Sequence, residues 1–352
     1  MDKKLKRELE MQAIRIRMDV IKGTFNAKSG HPGGSLSISD IMAYLYFHKM
    51  NVDPQNPDWE DRDRFVLSKG HTAPALYGAL ALKGFFPESE IERLRKPTSY
   101  LQGHPSLRLT PGVDMSTGSL GQGISAAVGM ALAAKLKNKD YQVYTILGDG
   151  EIQEGQVWEA AMFAAAKKLD NLVAVVDNNN LQIDGTIEEV NSPYPIDKKF
   201  EAFGWNVINC DGHDFDEIDA AFTFADKKNG KPSVIIAKTV KGKGVSYMEY
   251  AVEWHGKAPQ QEEYDEELIR GCSMAGVEPF TGDGLHDEYF PGACRIIDKY
   301  NTGIVTIKPW AKERVFQRID MAKALEEIEA EQKAKQEATA KAQNTVTLEQ
   351  IS

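Results

Sequence analysis

Two stretches decide how this chain reads: Val143-Tyr144-Thr145-Ile146-Leu147-Gly148-Asp149-Gly150-Glu151 and Leu172-Val173-Ala174-Val175-Val176-Asp177-Asn178-Asn179-Asn180-Leu181. Each opens on a short run that reads as a strand buried on both faces. Between them lies a helical pattern, residues 153–168, with Trp158, Ala161, Met162 and Ala165 on one side. The unit is therefore strand–helix–strand, and its polar residues fall just past the C-terminal ends of both strands. In an open parallel sheet that edge is where ligands bind.

The chemistry of the unit follows from its residue types. Asp149 and an Asn of the later cluster offer hard oxygen donors, which suit Mg²⁺ or Ca²⁺ rather than a soft metal. Glycines at 148 and 150 let the backbone approach an anion, and a helix opening after them points N–H groups at it. An ion held by one carboxylate and one amide keeps coordination sites free for diphosphate oxygens. A lone Gly-Asp-Gly is more often a surface turn; the Asn cluster at the next strand end turns the reading toward a metal–diphosphate site.

The chain has 352 residues, 42% of them hydrophobic, and a formal net charge of -10. That is enough for a full core in one large domain or two modest ones. The acidic balance argues against non-specific nucleic-acid binding. Cys210, Cys272 and Cys294 lack metal-type spacing and cannot all pair within one chain, as expected of reduced thiols in a cytoplasmic protein. No apolar run predicts a secretory signal or a membrane span.

In chain order, Leu5, Leu9, Ile14, Met18, Ile21 and Phe25 predict an amphipathic helix over 3–28. Ser29-Gly30-His31-Pro32-Gly33-Gly34-Ser35 reads as a loop. A helix follows over 41–48, then a strand over 64–67 ending in Ser68-Lys69-Gly70-His71. Thr72 is placed to cap a helix over 73–83, and 88–95 reads as a short helix. Gln102-Gly103-His104-Pro105 is a second Gly-His-Pro loop. Thr117-Gly118-Ser119-Leu120-Gly121-Gln122-Gly123 leads into a small-residue helix over 125–137. Beyond the central unit come a helix over 195–203, a strand over 205–208, Asp214 as cap of a helix over 216–228, and a buried strand over 233–237. That strand runs into the basic Lys238-Thr239-Val240-Lys241-Gly242, and Trp254-His255-Gly256-Lys257 follows. The fold class is α/β: a doubly wound, mainly parallel sheet with helices on both faces over residues 1–262. An irregular extension is expected over 263–310, and a charged helical or partly disordered tail over 311–352.

These motifs, in this order over residues 5–260, resemble the transketolase family, and specifically its thiamine diphosphate-binding N-terminal domain. Nothing after residue 262 resembles the pyrimidine-binding domain, so the chain resembles the N-terminal subunit of a split transketolase. The resemblance implies transfer of a two-carbon ketol unit from a ketose, phosphorylated by expectation, to an aldose, in sugar metabolism of the pentose phosphate type. It implies thiamine diphosphate and Mg²⁺, with Ca²⁺ or Mn²⁺ as substitutes. It also implies a partner subunit that carries the pyrimidine-binding domain and its Glu, in an A2B2 heterotetramer. No nucleic acid or membrane partner is implied.

Residue by residue, the resemblance assigns Asp149, Asn179 and the Leu181 carbonyl to the metal. Asn178 stands where many relatives have Asp, which leaves it a rival to Asn179. His71, Gly150, Glu151, Lys241 and His255 fall at diphosphate contacts, with Lys257 as a further anion contact. Gly118 and Leu120 fall at aminopyrimidine contacts, and His31 and His104 at substrate hydroxyls. His31, His71, His104 and His255 form the expected catalytic set. Two other readings are an alpha subunit of a 2-oxo acid dehydrogenase or a deoxyxylulose phosphate synthase, and a non-catalytic regulatory subunit. Gly103-His104-Pro105 and Trp254-His255-Gly256 favour transketolase over the other enzymes. The intact Asp149, Asn179 and histidines speak against the non-catalytic one.

Overall fold

The computed structural model describes residues 1–264. Helix α1 (Lys3–Ala27) starts at Asp2, whose carboxylate accepts the Lys4 and Leu5 amides, each at 3.2 Å. Short helices α2 (Pro32–Leu36) and α3 (Ser39–Tyr44) follow, and a π-helical turn, Leu45–Lys49, extends α3. Strand β1 (Arg64–Leu67) and α4 (Ala73–Lys83) come next, then a 3-10 helix at Glu88–Arg93. The central unit comprises α5 (Gly123–Leu136), β2 (Val143–Gly148), α6 (Gly155–Ala166) and β3 (Leu172–Asn178). A hairpin, β4 (Leu181–Gln182) and β5 (Gly185–Thr186), leads to α7 (Ile187–Asn191) and α8 (Ile196–Ala202). The sequence of elements closes with β6 (Asn206–Asp211), α9 (Phe215–Ala225) and β7 (Ser233–Lys238).

Among the described residues the main sheet has the order β1-β2-β3-β7-β6, with every pairing parallel. Covering both faces is what makes β2 and β3 near-continuous apolar runs. On one face, Ala127 and Ala131 of α5 and Ala160, Ala161 and Ala164 of α6 bury against Val66, Leu147, Ala174 and Val176. These small residues let the two helices lie close, and Phe200 and Trp205 fill the end of the layer. On the other face α1 packs on α3 and α4, and α3 on α9, with Tyr44 stacked on Phe222 at 5.1 Å. The register pairs Gly148 with Asp177, and Asn178 with Lys238. The polar ends of three neighbouring strands therefore stand side by side on one edge.

Several local expectations change. Residues 32–36 form a helix rather than a loop. Pro32 at its first turn presets the backbone, and glycine at 33 answers packing, since a Cβ there would lie 2.9 Å from the Trp254 carbonyl oxygen. Thr72 does not cap α4; its hydroxyl donates to the Lys69 carbonyl at 2.9 Å. The hairpin and α7 are additions to the expected elements, although Thr186 and Glu189 form a capping box that the sequence spells out. Asp214 does cap α9, accepting the Asp216 and Glu217 amides. Apart from Glu263 and Tyr264, the extension and the tail expected after residue 262 lie outside the described residues.

A close backbone approach beneath the polar edge is at Gly123, where a Cβ would lie 2.5 Å from Ser68 Cα. Gly123→Ala is expected to lower stability by about 1–3 kcal/mol. Urea unfolding checks this as a fall in midpoint at constant slope; an unchanged midpoint would contradict the packing described.

Candidate active site

Asp177, next to last in β3, is completely buried. An acid there must be paired, and it is. It accepts Lys69 Nζ at 2.5 Å, Ser37 Oγ at 2.6 Å, Thr239 Oγ1 at 2.5 Å and Asn179 Nδ2 at 2.9 Å. Burial works to raise its pKa, but Lys69 and the two hydroxyls hold it below the usual carboxylate range. Lys69 Nζ also donates to the Gly34 carbonyl at 2.9 Å.

Because Asn179 gives its Nδ2 to Asp177, its Oδ1 is left to accept the Leu181 amide, at 3.1 Å. Asn178 turns elsewhere, with its Oδ1 accepting the Tyr194 hydroxyl at 2.6 Å. Asn180 adopts a left-handed backbone, φ 63°, and its amide donates to Asp149 Oδ2 at 2.6 Å. The other carboxylate oxygen of Asp149 accepts the Gly150 amide at 2.9 Å. Asp149 is only 2% exposed. Burial first, and then the nearby Asp177 charge, push its pKa up to about 7.

Glu151, also buried, spends its carboxylate inside the protein. Oε1 accepts Ser68 Oγ at 2.6 Å and the Gly121 amide at 2.9 Å, and Oε2 accepts the Gly148 amide at 3.0 Å. It thus ties the turn after β2 to the loop before α5, where Gly118 packs against the His104 ring and Leu120 is 39% exposed.

Lys241 joins this oxygen-rich group to the histidines. Its Nζ donates to the Leu181 carbonyl at 3.1 Å and lies 2.9 Å from His255 Nδ1. Burial lowers its pKa to about 8. The four predicted histidines converge: His31 lies 5.1 Å from His71, 5.5 Å from His255 and 6.5 Å from His104 between ring centres, and His71 lies 5.3 Å from His255. Burial is the main cause lowering all four pKa values. His31 falls to about 4, helped by Arg95, and His255 to about 3, helped by Lys241. His71 and His104 shift the same way. At neutral pH the cluster is therefore four uncharged imidazoles, each with one donor and one acceptor nitrogen. Nδ1 of His31 is buried with no partner among the described residues. Lys257 stands apart, 4.0 Å over the Trp254 ring and 3.3 Å from Glu263.

Among the described residues no cluster of three or more His, Cys, Asp or Glu side chains suits a metal. A divalent ion here would rest on one carboxylate, one amide and one carbonyl. A cleft of about 900 Å³ opens beside them, with Asn178, Asn179, Leu181, Tyr194, Lys238 and Thr239 in its wall. None of the four histidines lines it, so the hydrogen-bonded geometry marks the site better than the cleft does. Lys69 and Asp177 have no part in the site expected from sequence. The signal for them was an acid closing a strand of the fully buried type, which requires a cation nearby.

Residues 7–281 match the family model described as transketolase, thiamine diphosphate binding domain. A 6-deoxy-6-sulfo-D-fructose transketolase subunit from a Clostridium species is 52% identical over 242 residues, covering 69% of this chain and 88% of that protein. One of the apulose-4-phosphate transketolase subunits, from Phocaeicola vulgatus, is 45% identical over 265 residues, or 75% of this chain and 94% of its own. The crystal structure of Campylobacter jejuni transketolase superposes with a TM-score of 0.72 at 32% identity, over 86% of this chain and 49% of that one. On these matches, over a parallel sheet whose polar edge carries the motif residues, the chain belongs to the transketolase family of transferases and carries its thiamine diphosphate binding domain.

Proposed function

We propose that the chain is the diphosphate-binding subunit of a transketolase. It moves a two-carbon ketol unit from a ketose, phosphorylated by expectation, to an aldose, together with a second subunit that carries the pyrimidine-binding domain and its Glu. The observation that carries this reading is the placement of Asp149, Asn179 and Leu181 on one side of Lys241, with four neutral imidazoles on the other. The subunit reading is supported by the relatives named as subunits, which the chain matches over 88% and 94% of their lengths. We take the assembly to be A2B2. We place it in the cytoplasm, where the free thiol of buried Cys210 is at home; among the described residues no helix is long and apolar enough to cross a membrane.

The donors fit a small, hard divalent ion. Asp149 is a buried carboxylate with no cation in contact among the described residues, and the Leu181 carbonyl already draws the Lys241 ammonium. Asp149 Oδ, Asn179 Oδ1 and Leu181 O would hold Mg²⁺. Asn178 is spoken for by Tyr194, which favours Asn179. Thiamine diphosphate, when bound, supplies the carbon nucleophile and electron sink for ketol transfer. Lys241, His71, Gly150 and His255 serve its diphosphate, and Gly118 and Leu120 its aminopyrimidine. Glu151 serves by bracing the two loops. His31, His104 and His255 hold sugar hydroxyls. As neutral imidazoles His31 and His104 can donate to or accept from a hydroxyl, while His255, whose Nδ1 accepts Lys241 Nζ, offers the N–H of its other nitrogen; all three stabilise oxygen charge where it develops.

Mixed with its partner subunit, thiamine diphosphate and Mg²⁺, the chain is expected to transfer two carbons from a ketose phosphate to an aldose and to leave 2-oxo acids untouched. Product analysis checks this, and cofactor binding without any transfer would mark a regulatory subunit. Asp149→Ala is expected to weaken Mg²⁺-dependent thiamine diphosphate binding by about 100-fold, ~2.7 kcal/mol, by calorimetry on the assembled enzyme, with the fold retained. The histidines also set a pH dependence. Between the ordinary histidine pKa and about 4, the unfolded chain takes up a proton that folded His31 refuses, so stability is full above that window and falls as pH drops through it. His31→Gln should flatten the acid limb of the urea midpoint; an unchanged limb would count against a buried neutral His31.

A further inference from the structure

The segment that brings Lys241 to the site runs from Thr239 to Val245, just past β7. Several of its backbone groups are gripped from outside, including the Lys241 carbonyl by the Tyr250 amide and the Gly244 amide by Glu249. The Val240 amide donates to His213 Nε2 at 2.9 Å. The Gly242 amide donates to the Gly33 carbonyl at 2.9 Å. The Lys243 carbonyl accepts Arg17 Nε at 3.0 Å. Two of these grips, His213 and Arg17, come from different elements, the turn before α9 and the middle of α1, yet they share one counter-charge. Asp40 in α3 meets His213 Nδ1 at 2.7 Å and pairs with the Arg17 guanidinium through the same Oδ2.

The chemistry of this triad is determinate. A ring nitrogen that accepts an amide N–H carries no proton, so the proton of a neutral His213 sits on Nδ1 and is donated to Asp40. Asp40 is nearly buried, and burial alone would raise its pKa, but Arg17 and His213 bring it below the usual range. The acid stays ionised and holds both side chains at once. None of the three touches the histidine cluster or the oxygen donors. What they fix is the backbone on either side of Lys241, a residue whose long side chain must arrive within 3.1 Å of the Leu181 carbonyl and 2.9 Å of His255.

Resting on the function proposed above, we propose that Arg17, Asp40 and His213 act as one positioning unit for Lys241, setting the affinity for the cofactor's diphosphate without touching it. Their effect passes through the Lys241 segment alone. A general contribution to stability would instead appear whatever stands at 241.

Two measurements on the full-length chain separate these. The first is amide hydrogen exchange without cofactor. His213→Ala should speed exchange across 239–245 by about tenfold, the loss of one buried hydrogen bond, while 143–148 and 172–178 keep their protection. His213→Gln, whose amide offers one donor and one acceptor, should restore it, and Arg17→Gln should loosen the same segment. Unchanged exchange in 239–245 would overturn the proposal. The second is a double-mutant cycle on thiamine diphosphate affinity in Mg²⁺ with the partner subunit present. His213→Ala should weaken binding about tenfold, and in a Lys241→Met background it should add less than about twofold. Equal losses in both backgrounds would show that the triad does not act through Lys241. Failure of the unaltered protein to bind thiamine diphosphate would sink the function proposed above, while the exchange result would still decide the pinning.

Discussion

The buried ion pair between Lys69 and Asp177 is the constraint on which the site depends. Lys69 follows β1 and Asp177 lies next to last in β3, so the lysine stem crosses the end of β2, passing beside Gly148, to reach its partner. Asp177 then takes a hydroxyl from the α2–α3 junction through Ser37 and another from the end of β7 through Thr239. One carboxylate thereby locks three strand ends and a helical junction together. Removing one partner of such a pair costs about 3–5 kcal/mol, yet replacing both by apolar groups is often neutral for stability. The balance points away from stability and toward orientation as what the charges accomplish.

Orientation is what they deliver. Oδ2 of Asp177, which also accepts Lys69 and Ser37, fixes the amide of Asn179, which turns its oxygen the other way. Asp149, next along the edge, accepts two backbone amides, and burial, followed by the nearby Asp177 charge, raises its pKa despite them. On the far side of Lys241 the histidines are discharged by burial. The site therefore divides into a half that wants positive charge and a half that is neutral and bidirectional in hydrogen bonding. That division suits a ligand with an anionic tail and a polar, uncharged neighbour.

The sheet was legible because strands covered on both faces leave apolar runs with polar residues only at their ends, and Leu172–Val176 followed by Asp177 is such a run. The histidines were legible because each sits beside a glycine outside the long helices and strands. Interactions between distant residues were not. Lys69 and Asp177 are 108 positions apart, and Asp40 and His213 are 173 apart; no local pattern announces either pair. Residues 32–36 mislead for a different reason. Glycine there answers crowding by Trp254, whereas sequence reading treats clustered glycine as freedom to turn. The Tyr194 hydroxyl that Asn178 accepts comes from the far side of the hairpin and α7, and no local pattern announces that contact either.

The contacts at Gly33 and Gly123 bear on how this domain diverges. At both positions the atom that forbids a methyl group belongs to main chain, at Trp254 and Ser68, and main chain cannot swing aside as a side chain does. Each of those segments also carries a histidine of the cluster one to three residues on. A side chain at either glycine would push on the backbone that carries His255 or His71, so both positions favour glycine. Changes that leave this framework intact are confined to exposed side chains such as Leu107 and Leu109.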